Sequence, residues 1–259
     1  AMNSTIENFK KYKPLLFELV SRDLKTKYRR SVLGVLWTVL NPLGMMLVMT
    51  VVFSTVFRQN IENFPVYLMC GQLVFNFFNE ASNMAMTSIL GNASLIKKVY
   101  VPKYLFPLSR VCSSLVNMLT SFIALIIVII VTRTPVTWTI ITAVFPVLYV
   151  SMFAFGVGLV LATAVVTFRD LQHLYGVVIT AWLYLTPIFY PISMLPESIG
   201  RLIKLNPITS FVELLRYAVL YDSLAPLKYH AYSIAWCVLV VGFGLYIFNK
   251  KQDNFILKL

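Results

Sequence analysis

The chain has 259 residues, of which 59% are hydrophobic and only 12% charged, and its mean hydropathy is +0.78; soluble domains run at roughly 45–50% apolar and about 25% charged. A soluble fold is excluded, because there is too little polar surface to cover the apolar remainder. The net charge of +12 invites a nucleic-acid partner, but the cations gather beside apolar runs, as the positive-inside rule requires of a membrane protein, and no nucleic-acid partner is expected.

In chain order, residues 4–30 come first. Ser4 and Glu7 have the spacing of a capping box, and Pro14 suits the first turn of a second helix. Phe17, Val20, Leu24 and Tyr28 recur at three-to-four spacing, with Glu18, Arg22, Lys25 and Arg29 on other faces. The pattern predicts an amphipathic helix with a basic side, lying along the cytoplasmic membrane surface or standing in solvent as a leader. The first thirty residues have no short apolar core of a cleavable signal, so insertion is expected to begin at the first span.

Six apolar segments follow, at 33–57, 65–89, 110–132, 136–166, 174–190 and 231–248, each read as a transmembrane helix. An even number puts both termini on one side. With that side cytoplasmic, sixteen of the 22 Lys and Arg fall on inner segments, and the outer ones carry Arg58, Arg133, Arg201, Lys204, Arg216 and Lys228. Glu80 on the second segment shares a polar face with Asn76, Asn79 and Asn83, either interhelical glue or a polar conduit. On the fourth, Ala154, Gly158 and Ala162 invite close approach of another helix, and Phe145, Tyr149 and Phe153 form an aromatic stripe that reads as packing rather than a ligand track.

The fifth segment ends irregularly, since Pro187 and Pro191 stop a straight helix. Beyond it, 196–205 and 207–220 read as two short helices, the second capped by Asn206 with Pro207 at its first position. Together they predict a re-entrant helical hairpin in the outer leaflet before the last span. Irregular backbone at that depth must be buried in protein or face a water-filled cavity.

The chemistry of the chain is sparse. It has no phosphate loop, and no Gly is followed by Lys, so the chain is not its own nucleotide motor. Two His and ten acidic residues supply no recognisable catalytic constellation, and Cys70, Cys112 and Cys237 lie in apolar surroundings without metal-ligand spacing. Neither a catalytic residue nor a metal site is assigned. The run 91–107 mixes apolar, aromatic and basic residues, including Lys97, Lys98, Tyr100, Pro102 and Lys103; it suits a short helix offering a docking surface to a cytoplasmic partner, or an ordinary basic loop.

This run resembles the coupling segment of polysaccharide-export ABC permeases, the group that exports O-antigen chains and teichoic acids, although Val101 stands where an aromatic is expected. Arg22, Asp23, Leu24, Lys25 and Tyr28, then Leu33, Gly34, Trp37, Asn41 and Pro42, resemble that family's opening signature. Phe168, Arg169, Asp170 and Leu171 resemble its motif after the fourth span; Thr186, Pro187, Tyr190, Pro191, Asn206, Pro207 and Arg216 resemble its outer gate.

The resemblance implies a single permease domain, 1–259, that forms a homodimer in the bacterial inner membrane above two copies of a separate ATPase. That partner would bind ATP and Mg, with no cofactor in this chain, and the substrate would be a polyprenyl-linked polysaccharide. Lys97, Lys98, Tyr100 and Pro102 would dock in the ATPase, flanked by Arg29, Arg30, Phe168, Arg169 and Asp170. Trp37, Phe53, Trp182, Tyr184, Phe189 and Tyr190 are candidate channel aromatics, whose flat faces would let sugars slide, or they form interfacial belts. Pro187, Pro191, Asn206, Pro207 and Arg216, within 190–222, would form an outer gate or a rigid cap. Two other classes compete: a membrane transferase acting on lipid-linked sugars, and a secondary carrier, for which intramembrane coupling charges are too few.

Overall fold

The computed structural model describes residues 2–29, 31, 33–56, 61 and 63–255, and among them every regular element is helical. The α-helices are α1 (Met2–Tyr28), α2 (Trp37–Val56), α3 (Phe64–Met86), α4 (Ser88–Gly91), α5 (Ala93–Lys98), α6 (Leu105–Thr132), α7 (Val144–Thr167), α8 (Leu171–Tyr184), α9 (Glu197–Lys204), α10 (Pro207–Val219) and α11 (Leu227–Lys251). The protein is an all-α, multi-pass integral membrane protein. Gly34–Phe53, Leu105–Thr132, Trp138–Thr167 and Leu227–Asn254 are long and apolar enough to cross a bilayer. α3 is long enough but diluted by Gln72, Asn76, Asn79 and Glu80, and α8, at 14 residues, spans only about 21 Å against a hydrocarbon core of about 30 Å.

Several boundaries differ from the sequence expectation. Pro14 lies inside one continuous α1 instead of opening a second helix, and Ser4 and Glu7 fall within that helix rather than at a cap. Helix α6 begins at Leu105, so residues 105–107 of the expected coupling run form its buried first turn. The 136–166 segment is a 3₁₀ turn, Trp138–Ala143, followed by α7. Helix α8 stops at Tyr184, and 185–191 continues without α-helix. The two short helices after it fall almost where expected, and Asn206 Oδ1 accepts the Ile208 N–H at 3.0 Å as a true N-cap.

α3 is the centre of the bundle, with α2, α6, α7 and α10 packed around it. It is the most buried long helix yet not the most apolar. The order is natural in lipid, where apolar faces need no shelter and packing selects shape and hydrogen bonds. α2 accordingly leaves Leu40, Leu47, Val48, Val51 and Val52 exposed. Small residues set the closest approaches. Gly158 faces α3, where a Cβ would sit 2.6 Å from Ala85 Cβ, while Ala154 and Ala162 are fully buried. Gly156, on a face the spacing argument passed over, lets α7 touch α11: its Cβ would come within 2.7 Å of Val241 N, and a Cβ on Gly244 within 2.6 Å of Gly156 O. The aromatic stripe of α7 is packing, with Phe145 and Tyr149 against His230 and Phe153 against Phe78, Trp182 and Phe211.

Because the obstruction at Gly156 is backbone, which cannot swing aside, Gly156→Ala is expected to destabilise the protein by about 1–3 kcal/mol, read as a lower melting temperature in detergent. Gly242→Ala on α11 meets nothing within 4 Å and should melt like wild type. Equal melting of all three proteins would show that α7 and α11 part at little cost.

Candidate functional site

Three constructions stand out, and the first is at the end of the bundle that carries α1, α5 and the last residues described. Asp23 on α1 is almost fully buried there, with Oδ1 3.1 Å from Arg110 Nη1 on α6 and 3.3 Å from Arg22 Nη2. Arg22 Nη2 also donates to Asn92 Oδ1 at 2.9 Å, and Asn92 Nδ2 donates to Ser88 O at 2.7 Å, so the residue just before α5 is fixed from both sides. A buried carboxylate requires such partners, since unpaired burial of its charge is prohibitive. Ile96 on the inner face of α5 joins Leu19, Ile89, Phe106, Leu159, Phe248 and Phe255 in a separate apolar cluster. On the other side of the link, Lys103 Nζ donates to Gln252 O at 2.7 Å.

What this base presents is the tip between α5 and α6. Lys97, Lys98, Val99 and Tyr100 are exposed, Tyr100 at 95%, and Pro102 is half-buried beneath them. Phe168, Arg169 and Asp170 are exposed in the turn between α7 and α8, and Arg29 is exposed at the end of α1. No hydrogen bond or ion pair joins these four to α5 among the described residues. Arg30 lies outside the described residues. The anchors Asn92 and Arg110 were missed in the sequence; the one clue was a lone acid, Asp23, inside the most basic stretch of the chain.

The second construction is a groove of about 620 Å³ running along α2, α3 and the end of α8. One end is polar. Glu80 Oε1 accepts from Lys27 Nζ at 2.7 Å and from Asn117 Nδ2 at 2.6 Å, and Tyr28 donates to Asn117 Oδ1 at 2.9 Å. Burial, and secondarily the Glu80 carboxylate, raise the Tyr28 phenol above its ordinary pKa, so it stays a donor. The Glu80 face is therefore glue to α1 and α6, and it also lines the groove, with Asn76 exposed to it. Further along the walls are Trp37, Phe53, Tyr184 and Phe189, and Phe53 stacks on Phe189 with centroids 5.9 Å apart. Trp182 is not in the wall. It packs edge-on to Phe78 and donates Nε1 to Asn206 Oδ1 at 2.9 Å. Nor is Tyr190, whose hydroxyl donates to Tyr184 O at 2.7 Å.

The third construction holds the non-helical stretch after α8. Arg216, counted from sequence among outward-facing cations, is instead completely buried on α10. Its Nη2 donates to Pro187 O at 2.8 Å, Ile188 O at 3.4 Å and Tyr67 O at 3.5 Å, and Nη1 to Glu213 Oε1 at 2.8 Å. The guanidinium carbon lies 3.4 Å from the Tyr67 ring centroid, and Tyr67 donates to Tyr190 O at 3.1 Å. Asn206 adds a second clamp through Nδ2 to Thr186 Oγ1 at 3.0 Å. Gly71 on α3 makes room, since a Cβ there would sit 2.9 Å from Ile188 Cγ2. Pro187 and Pro207 are buried, and Pro191 borders a cavity at the α9 end. Tyr67 was missed; a cation three residues after Glu213 in an otherwise apolar helix was the available signal for the buried pair.

A profile of ABC-2 type transporters matches residues 14–220, which takes in the second and third constructions and the first apart from its contacts with Phe248, Gln252 and Phe255. The chain belongs to this family. Among its ABC-2 relatives is the O-antigen export system permease protein RfbA of Myxococcus xanthus, 34% identical over 94% of this chain and 95% of the relative. The protein of the same name from Klebsiella pneumoniae is 31% identical over 93% of each chain. The polysialic acid transport protein KpsM of Escherichia coli is 22% identical over 91% of this chain and 92% of its own.

In this ABC-2 protein the Arg216 site makes a sharp prediction. Arg216→Ala strands the Glu213 carboxylate and three carbonyls, and should cost about 3–5 kcal/mol. Arg216→Lys keeps the charge but loses the planar fork and should fall between the two in detergent melting. A Lys variant as stable as wild type would mean that charge alone, not geometry, holds 185–191.

Proposed function

We propose that the protein is the membrane-spanning permease subunit of an ATP-driven exporter that moves lipid-linked polysaccharide out across the bacterial inner membrane. The observation that carries this reading is the match to export permeases over more than nine-tenths of the chain. The relatives are permeases, and nothing in the site favours a transferase. Six spans, α2, α3, α6, α7, α11 and α8 completed by the non-helical stretch 185–191, with both termini cytoplasmic, put α1 and α5 on the inner face. The hairpin of α9 and α10 then lies at the outer leaflet.

The working unit is a homodimer over two copies of a cytoplasmic ATPase, which binds ATP and Mg. The exposed apolar faces of α2 and α8, including Val48, Val52, Val177 and Val178, support a second copy closing the groove into a channel. Lys97, Lys98, Tyr100 and Pro102 engage the ATPase. The base formed by Arg22, Asp23, Asn92 and Arg110 transmits its movement into α1 and α6, because these bonds tie the start of α5 to both helices. The polymer follows the aromatic wall of Trp37, Phe53, Tyr184 and Phe189, and the stretch 185–191, clamped by Asn206 and Arg216, forms the gate at the outer end.

Two measurements test the scheme. Lys98→Ala with Tyr100→Ala should leave the chain folded, both side chains being exposed, while reducing permease-stimulated ATP hydrolysis and polymer export on the order of tenfold or more. Wild-type values for both would remove α5 from the docking surface. Single cysteines at Trp37 and Tyr184 should react with a membrane-impermeant thiol reagent, whereas one at Trp182 should be protected. Uniform protection would argue against a water-accessible groove.

A further inference from the structure

The cavity bordered by Pro191 is separate from the groove and larger, about 840 Å³. It is a bowl between α9, the start of α3 and the ends of α10 and α11, and neither the coupling tip nor the aromatic groove uses it. Tyr67, Tyr221 and Tyr229 furnish its aromatic surface. Tyr217 props two of these rings, with centroids 5.0 Å from Tyr221 and 5.9 Å from Tyr229. Among the described residues the hydroxyls of Tyr221 and Tyr229 have no hydrogen-bond partner, though the Tyr229 ring also meets Lys228 Nζ at 5.4 Å.

Two further groups in the wall have unused hydrogen-bonding capacity. Glu213 spends Oε1 on Arg216 and is largely buried, leaving Oε2 as an acceptor without a described partner. Asn63 is the N-cap residue of α3, in the left-handed region at φ +51°, yet its side chain makes no capping bond. An Asn at that position ordinarily spends its oxygen on the helix; here the amide lines the cavity and has no hydrogen-bond partner among the described residues. Arg201 lies 3.4 Å from Glu197 and Glu213 is paired with buried Arg216, which leaves Lys204 as the lining cation without an ion pair among the described residues. An anion cradle gathers several such cations, and a lipid tail would want no such polar groups.

Flat aromatic faces, hydroxyls, an amide and a carboxylate acceptor in a bowl of ligand size with a single unpaired lining cation match one chemistry, a hydroxyl-rich chain. We propose that this bowl is a saccharide-binding site that takes a short stretch of the polymer beside its exit, with Tyr221 and Tyr229 as stacking surfaces and Glu213 and Asn63 as hydrogen-bond partners. The inference rests on the exporter reading and on α9 facing outward. Binding there would resist backsliding between strokes.

The test uses the full chain in nanodiscs and, as probe, lipid-free polysaccharide released by mild acid from the host's own glycolipid. Wild type should bind it. Tyr221→Ala with Tyr229→Ala should weaken binding on the order of tenfold, with Val238→Ala, on an exposed face of α11 outside both cavities, leaving it unchanged. Binding that ignores the two tyrosines but fails with Trp37→Ala would place the sugar in the groove and overturn the proposal, as would binding that depends on Lys204 alone or no binding by wild type. If wild type binds nothing while cells still export polymer through the protein, the bowl fails and the exporter stands; if export fails as well, the exporter reading fails with it.

Discussion

Backbone that leaves the helix inside an apolar bundle has nowhere to send its carbonyls, and most of this structure is arranged around that constraint. Residues 185–191 run unwound with 186–189 buried, and Arg216 answers from the neighbouring helix with a fork of donors. Arg216 is itself the largest fully buried side chain among the described residues. A buried cation is costly unless it is paired, so Glu213, the Tyr67 ring and the Tyr67 carbonyl close around its two terminal nitrogens, while Nε has no partner among the described residues. Gly71 then becomes obligatory, since only a missing side chain lets α3 approach Ile188. The unwound segment, α3 and α10 thus form one unit that no member can leave cheaply.

The opposite end solves a related problem with the same chemistry. There an amphipathic helix must be attached to the ends of membrane helices, and apolar packing alone gives little orientation. Asp23 supplies it by holding arginines from two helices, and Glu80 does the same through Lys27 and Asn117. The two differ in exposure, Asp23 being almost fully buried while the Glu80 side chain keeps 30% of its surface open to the groove. α5 inherits its position from this frame more than from its own six residues, a length too short to be stable alone.

Much of this was legible in the residues. Apolar run lengths located the helices, Pro187 and Pro191 marked the break, and Asn206 with Pro207 announced a cap that the structure contains. Periodicity also separated the packing stripe of α7 from solvent. What escaped were facts of partnership. Arg216 reads in sequence as one more outward cation, because a positive charge in a short helix between turns normally snorkels to water; only the neighbouring carbonyls of 187–188 explain its burial. Trp182 and Tyr184, two residues apart in an aromatic run, point to different places, one into the core and one to the groove, and helical phase near a break is too poorly defined to sort them. Pro14 misled because proline inside a helix is usually a boundary. Gly156 was invisible beside the more regular Ala154, Gly158 and Ala162.

The contact between α7 and α11 bears on how such a molecule divides its labour. Where two helices touch through Gly156 and Gly244, main chain rests against main chain, and neither can slide past the other without a clash that side-chain rearrangement does not relieve. Reinforced by Cys237 Sγ donating to Tyr149 O at 3.2 Å, the pair behaves as a fixed pillar on the side away from the groove. α2 and α8, which line the groove, share few contacts with that pillar and are held chiefly by α3 and α6 or by the turns at their ends.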